Sequence, residues 1–159
     1  MTPSFDANLA KLGAEVPEAS TPGANYVPYT MTGNLLHLAG QVPRHGGRID
    51  HVGKLGAAIS IEEGYRAARS CALNLVVQIR AACGGSLAPV SRIVKVTGFV
   101  NCTPDFTDIP QVINGASDLF VEIFGEAGRH ARSAVGMVSL PRGVSVEVEA
   151  IVELRPGRS

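Results

Sequence analysis

The stretch Val144–Leu154 most constrains the fold, because its side chains alternate between two kinds of surface along its whole length. Period-two alternation with many β-branched residues predicts a half-buried strand that needs a core against one face. One face carries Val144, Val146, Val148, Ala150, Val152 and Leu154, and the other carries Ser145, Glu147, Glu149, Ile151 and Glu153. This pattern excludes an all-helical fold.

A second apolar run, Ser133–Leu140, precedes this strand and is joined to it by Pro141-Arg142-Gly143. Two runs separated by such a break predict a β-hairpin at the end of a sheet. Arg132 lies where the chain enters the hairpin and Glu147 lies on its return strand, so strand pairing is expected to bring them together. A guanidinium near a carboxylate is the beginning of a site for a small anion.

Two amphipathic helices are predicted. Ser60 and Glu63 form a capping box, and the apolar stripe that follows continues to Ala82, before the paired glycines 84 and 85. A second helix is predicted from about Asp108 to Phe124, with Asp108 as its cap and a proline tolerated in its first turn.

Three further strands complete the pattern: Tyr26–Met31 and Leu35–Ala39 around a Thr-Gly-Asn turn, and Ile93–Val100 between the helices. Residues 1–24 form an N-terminal extension with a short helix candidate and an extended connector, and residues 25–159 form one domain. The order ββ-α-β-α-ββ predicts an α+β fold with both helices on one face of the sheet. The other face is expected to be covered by self-association.

Composition excludes several classes of function. The chain has 14 basic and 14 acidic residues, so no net positive field attracts nucleic acid. No apolar stretch is long enough to span a bilayer, and the N-terminus does not resemble a secretory signal. Three cysteines without metal-ligand spacing are typical of free thiols in a reducing cytoplasm, and the four histidines suggest no metal site. No metal or organic cofactor is predicted.

The segment from Ala131-Arg132-Ser133 through Pro141 to Glu147–Ala150 resembles the signature of the Rid (YjgF) family. The resemblance extends from about Tyr26 to Leu154, and the early segment, residues 12–43, further resembles a subgroup with a longer N-terminus. The family, long named "endoribonuclease L-PSP", contains enamine and imine deaminases. Its members resemble chorismate mutase in fold, with a mixed sheet, and are usually homotrimers with ligand clefts between subunits.

The resemblance implies a role for each matched position. Arg132 matches the arginine that grips the substrate carboxylate, and Glu147 matches the carboxylate that handles the attacking water. The remaining substrate-binding matches are Tyr26, Gly40, Asn114 and Pro141. Ala39 and Ala134 stand where the family often has a hydroxyl residue and a cysteine, which makes the pocket less polar.

Each matched residue also has an ordinary structural interpretation. Arg132 could belong to a solvated turn with Arg129 and His130, and Glu147 to the polar side of its strand. Tyr26 could be a packed hairpin residue. The resemblance favours the functional interpretation for Arg132 and Glu147, and Asn114 lies in a helix that has no local need for it.

The resemblance implies a cytoplasmic enzyme that hydrolyses reactive 2-imino or 2-enamino acids to 2-keto acids and ammonium, with a small carboxylate-bearing metabolite as its only ligand. The first alternative is a non-catalytic trimer that binds a small carboxylate as a sensor or chaperone-like module. The second is an endoribonuclease, which zero net charge and the absence of a basic and aromatic strip disfavour.

Overall fold

The computed structural model describes residues 4–13 and 16–157 of the chain. Three helices and seven strands lie within these ranges. In chain order they are α1 (Phe5–Lys11), β1 (Tyr29–Thr32), β2 (Leu35–Gln41), β3 (Arg44–His45), β4 (Arg48–Ile49), α2 (Ile61–Ala82), β5 (Val90–Asn101), α3 (Ile109–Phe124), β6 (Ala131–Met137) and β7 (Val146–Leu154).

The main sheet has five strands in the order β1-β2-β7-β5-β6. Strands β5 and β6 run parallel and the other neighbours run antiparallel, so the sheet is mixed. The predicted ββ-α-β-α-ββ order and α+β class are confirmed. Strands β3 and β4 form a separate two-stranded ribbon in a segment for which the sequence analysis predicted no strand.

The predicted hairpin between the last two strands is wrong. Strand β5 lies between β6 and β7 and pairs with both, so β6 and β7 are not neighbours. The reason is the connection through α3, which joins β5 to β6 as a parallel crossover and leaves the other edge of β5 for β7. Alternation identifies a strand but does not identify its partner.

Helix α2 begins with the predicted capping box. The Ser60 hydroxyl accepts a hydrogen bond from the Glu63 amide at 3.2 Å, and Glu63 Oε2 accepts one from the Ser60 amide at 2.8 Å. Helix α3 begins after Asp108 as predicted, but the Asp108 side chain makes no capping bond. Because Pro110 in the first turn has no amide hydrogen, one fewer donor there needs a partner.

Both long helices pack on one face of the sheet, where the apolar side of β7 is buried from Val146 to Val152 and Leu154 is half-buried. Residues Glu147, Glu149 and Ile151 lie on the opposite face, and each retains some exposure. The N-terminal helix α1 packs beside α3, with the rings of Phe5 and Phe124 in edge contact at 5.0 Å. No described helix is long and apolar enough to cross a bilayer.

Candidate functional site

A cavity of about 550 Å³ lies where β2 ends, between the turn at 141–143 and the extended segment 20–24. Five of the residues singled out by the sequence resemblance line it: Tyr26, Ala39, Gly40, Pro141 and Glu147. Tyr26 precedes β1 instead of lying within it, and its side chain is 58% exposed. Its position at the cavity rim favours the cleft-wall interpretation over the packed-hairpin one.

The contact between Gly40 and Glu147 organises this cavity. A Cβ atom on Gly40 would overlap Oε1 of Glu147 and would lie 3.0 Å from its carboxyl carbon. The register of β2 against β7 shifts between Leu38 and Gln41, which indicates a bulge at this point of the strand. Glycine at position 40 therefore lets the carboxylate lie directly over the backbone of β2.

The environment of Glu147 raises the pKa of its carboxyl group. The largest cause is burial, which disfavours the ionised form, and repulsion from Glu149 adds to it. A raised carboxyl pKa brings proton uptake and release closer to neutral pH, which suits an acid/base group. Shifts of this kind occur at functional sites and also in structural clusters of charges, so the geometry of the cavity is needed beside it.

The raised pKa predicts a stability effect that is separate from activity. A carboxyl group whose pKa is higher in the folded than in the unfolded state disfavours folding once it ionises. The free energy of unfolding therefore falls as pH rises above about 4.5. Glu147→Gln is therefore expected to raise Tm at pH 7 and to have no such effect near pH 3, as followed by thermal denaturation. Glu149→Gln is the matched control and should give a smaller gain. An equal gain from both variants would contradict burial as the main cause.

Arg132 belongs to a second cluster, at the edge strand β6. Its Nη1 atom donates hydrogen bonds to Oδ1 of Asn114 at 2.8 Å and to Oγ of Ser117 at 3.1 Å. Asn114 and Ser117 are three residues apart and so lie on one side of α3. Ala134 follows on the same side of β6 and packs against the core. Two acceptors thus hold the guanidinium, whereas the exposed side chain of Arg129 pairs with Glu126 three residues earlier.

His130 contacts this cluster through Ser117. Its Nδ1 atom lies 2.7 Å from the Gly128 carbonyl oxygen, and its Nε2 atom lies 2.9 Å from Ser117 Oγ. Because a carbonyl only accepts, Nδ1 carries the proton and Nε2 accepts from the Ser117 hydroxyl. Burial, followed by the nearby Arg132 charge, lowers the pKa of His130, although its bond to Gly128 opposes the shift. The ring stays neutral and leaves the Ser117 oxygen free to accept from Arg132.

The two clusters lie on opposite faces of the sheet. Glu147 pairs with Phe99, which pairs with Val135, so these three side chains share one face. Arg132 is three residues from Val135 on β6 and therefore points to the other face, towards α3. The sequence expectation that strand pairing brings Arg132 beside Glu147 is wrong, because β5 separates their strands by about 10 Å and alternation reverses the face.

Sequence reasoning missed two cationic residues of the cavity. Arg44 and Arg142 both line it. Neither was given a functional role from the sequence, in which Arg142 belongs only to the break between two apolar runs, and no spacing connects the two residues. Ser117 was also missed, although its position three residues after Asn114 on a predicted helix was a usable signal.

The described residues contain neither a metal-binding cluster nor a disulfide. Across residues 4–13 and 16–157, no three His, Cys, Asp or Glu side chains are grouped to hold a metal ion. The cysteines are free, and only Cys71 is fully buried, whereas Cys83 and Cys102 are half-buried. Burial raises the pKa of the Cys71 thiol well above its usual value, so this residue stays protonated and is a poor nucleophile.

Comparison with known proteins gives one family. The sequence model described as "YjgF/chorismate mutase-like, putative endoribonuclease" matches residues 6–153. Protein TCP17 of Trypanosoma cruzi is 50% identical over 149 residues, covering 93% of this chain and 92% of that protein. A 2-iminobutanoate/2-iminopropanoate deaminase of Dermatophagoides farinae is 28% identical over 137 residues, covering 86% of this chain and 91% of the deaminase.

Solved structures agree with this match. Atu1372 of Agrobacterium tumefaciens, a protein of unknown function, is 45% identical with a TM-score of 0.89, and 94% of this chain and 92% of that one are covered. A Shewanella oneidensis protein described as a putative endoribonuclease is 36% identical with a TM-score of 0.92, and the match covers 96% of this chain and 100% of that one. Escherichia coli TdcF with bound serine is more distant, at 26% identity and a TM-score of 0.60. The match covers 89% of this chain and 94% of TdcF.

Proposed function

This chain belongs to the YjgF/chorismate mutase-like family, and we propose that it hydrolyses reactive 2-imino and 2-enamino acids to 2-keto acids and ammonium. One relative is a deaminase of 2-iminobutanoate and 2-iminopropanoate, and the structure of another, TdcF, contains bound serine, a small amino acid with a carboxylate. The observation that carries the proposal is the half-buried Glu147 carboxylate, held over Gly40 in a cavity lined by the other matched residues of its cluster.

We further propose that the complete site forms between subunits of a homotrimer. Glu147 and Arg132 face opposite sides of the sheet, so one chain does not bring them to one substrate. A cyclic assembly joins two different surfaces of neighbouring copies, which lets the Arg132 cluster of one subunit meet the Glu147 cavity of the next. The sheet face opposite the helices supports this assembly, because it carries Val135 at 39% exposure and the partly exposed Phe99 and Ile151.

The proposed chemistry uses one positioned cation and one acid/base group. Arg132 of the neighbouring subunit binds the substrate carboxylate through its planar fork of donors. Glu147 takes a proton from water as the water oxygen bonds to the imine carbon, and the C=N electron pair moves to nitrogen. Glu147 then protonates the nitrogen. The C–N bond breaks as the hydroxyl oxygen forms the keto C=O bond and passes its proton to the nitrogen, so ammonia leaves and takes up a proton from solvent as ammonium.

A subunit-mixing experiment tests this proposal. Arg132→Ala and Glu147→Gln are each expected to lose most acceleration of keto-acid release from an imine generated by an amino-acid oxidase. In trimers reassembled from equal amounts of the two variants, about one quarter of the interfaces combine an intact Glu147 with an intact Arg132. We therefore expect recovery of about one quarter of the wild-type rate, measured by trapping the remaining imine with a competing amine.

The matched control mixes Arg132→Ala with the Arg132→Ala/Glu147→Gln double variant, in which no interface has an intact arginine. No recovery is expected there. A monomeric wild-type protein, or mixed trimers verified by mass spectrometry that stay inactive, would contradict the inter-subunit site. Calorimetric binding of a 2-keto acid without acceleration of any imine would favour the non-catalytic carboxylate-binding trimer instead.

A further inference from the structure

Two arginines that the proposed reaction does not use line the cavity around Glu147. Arg44 comes from β3 and Arg142 from the turn at 141–143, so two separate parts of the chain each contribute a cationic residue to the same cavity. The other ionisable lining residues are Glu147 and Tyr26. With Glu147 ionised the lining carries a net positive charge, which favours an anionic ligand.

Arg44 lies on a strand that is held in place, and one donor of its guanidinium, Nε, has no partner among the described residues. This Nε atom is buried. The Asn74 side-chain amide donates to the backbone carbonyls of Val42 and Arg44, at 3.0 and 3.2 Å, and so fixes the strand that carries the arginine. A buried donor without a partner is unfavourable, and a carboxylate in the cavity would accept from it.

Arg142 has an unusual backbone conformation at the rim of the same cavity. Its φ is 57°, in the left-handed region, and it is not a glycine. Such a conformation is disfavoured for a residue with a Cβ atom and tends to occur where function requires a particular side-chain direction. Arg142 also follows Pro141, one of the residues that the family resemblance assigns to substrate binding.

The cavity has room for more than a three-carbon substrate. Its volume of about 550 Å³ lies within the range of roughly 300–1,000 Å³ that is usual for ligand sites. Residues 20–24 form one wall, and the Gln78 side chain anchors this wall by donating to the Ser20 carbonyl at 2.9 Å. Gln78 is itself only 2% exposed, so the wall is fixed to the buried side of α2.

We propose that Arg44 and Arg142 form a second anion subsite, and that the preferred substrates are dicarboxylic 2-imino acids. This inference rests on the proposed function. The 2-carboxylate binds Arg132 of the neighbouring subunit, and the side-chain carboxylate binds Arg44 and Arg142. A dianionic substrate next to Glu147 requires more than one cation, because a single guanidinium would leave two of three negative charges unpaired.

The test compares imines of equal chain length that differ only at the far end. Imines are generated from glutamate and from norvaline, and kcat/KM is measured for each with the intact protein. The glutamate imine is expected to be preferred about tenfold or more, and Arg44→Gln and Arg142→Gln are each expected to lower that preference about tenfold. Arg48→Gln is the matched control, because Arg48 lies in the adjacent strand β4 and does not line the cavity.

Binding separates this inference from the proposed function. By calorimetry, 2-oxoglutarate is expected to bind more tightly than 2-oxopentanoate, and Arg44→Gln should remove the difference. If the two imines are hydrolysed equally well and no variant changes their ratio, the subsite is refuted although the deaminase proposal stands. If no imine is hydrolysed faster but 2-oxoglutarate still binds in an Arg44-dependent way, the deaminase proposal is refuted and the subsite stands.

Discussion

Replacing Glu147 with glutamine is expected to lower kcat/KM for imine hydrolysis by about 100- to 10,000-fold, the usual contribution of one positioned acid/base group. Glutamine keeps the size of the side chain and its place over Gly40 but neither takes nor returns a proton. Binding of the keto-acid product should persist, because the proposed carboxylate ligands are arginines. Steady-state kinetics with an amine trap, together with calorimetry, measures both quantities.

The pH profile of the wild-type enzyme provides a further check of the same prediction. The base form of Glu147 is required for attack by water, so kcat/KM should rise with pH through the raised pKa of this carboxyl group. The rising limb should therefore lie above the ordinary glutamate range. Glu149→Gln, on the same face of β7 but exposed, is the matched control and should change the rate far less. Equal losses from both substitutions would refute an acid/base role for Glu147.

Gly115→Ala is expected to destabilise the protein by about 3 kcal/mol, at the upper end of the range for overpacked cores. A Cβ atom at this position would overlap the Tyr65 carbonyl oxygen and would lie 2.8 Å from the carbonyl carbon and 3.2 Å from the Arg69 amide nitrogen. These are backbone atoms of α2, so relief requires the two helices to separate. A loss of this size corresponds to a fall in Tm of roughly 6–12 °C, measurable by calorimetry.

The direction of this change discriminates between two effects. Intrinsic helix propensity favours alanine over glycine by about 1 kcal/mol inside a helix, so propensity alone predicts stabilisation. The close approach of α2 and α3 predicts the opposite sign. Gly157→Ala is the matched control, since a Cβ atom there meets nothing within 4 Å and should leave Tm almost unchanged. A Tm for Gly115→Ala at or above that of the wild type would refute the close helix contact.

Local signals in the sequence located most elements correctly. The Ser60 capping box fixed the start of α2, because its two reciprocal hydrogen bonds involve residues only three positions apart. The strong alternation after Val144 identified β7 and its core face for a similar reason, since period two is a property of one strand. The ribbon β3–β4 was missed because its strands are only two residues long and carry no periodicity.

The sequence indicated some residues of each cluster but not how the clusters are arranged. The resemblance to a known signature selected Glu147 and Gly40, which the structure places in contact, and Arg132 and Asn114, which it joins by a hydrogen bond at 2.8 Å. It did not reveal that these are two clusters on opposite faces. That separation depends on β5 lying between β6 and β7, and strand order is a long-range property.

The sequence alone determined the α+β class and the order of the elements, because capping and alternation act between residues close in the chain. Only the tertiary structure shows which strands are neighbours, that Gly115 lies against the backbone of α2, and that Arg44 and Arg142 line one cavity. The physical reason is that these features arise from packing between segments distant in sequence. Interactions of that kind leave no local pattern in the sequence from which they could be predicted.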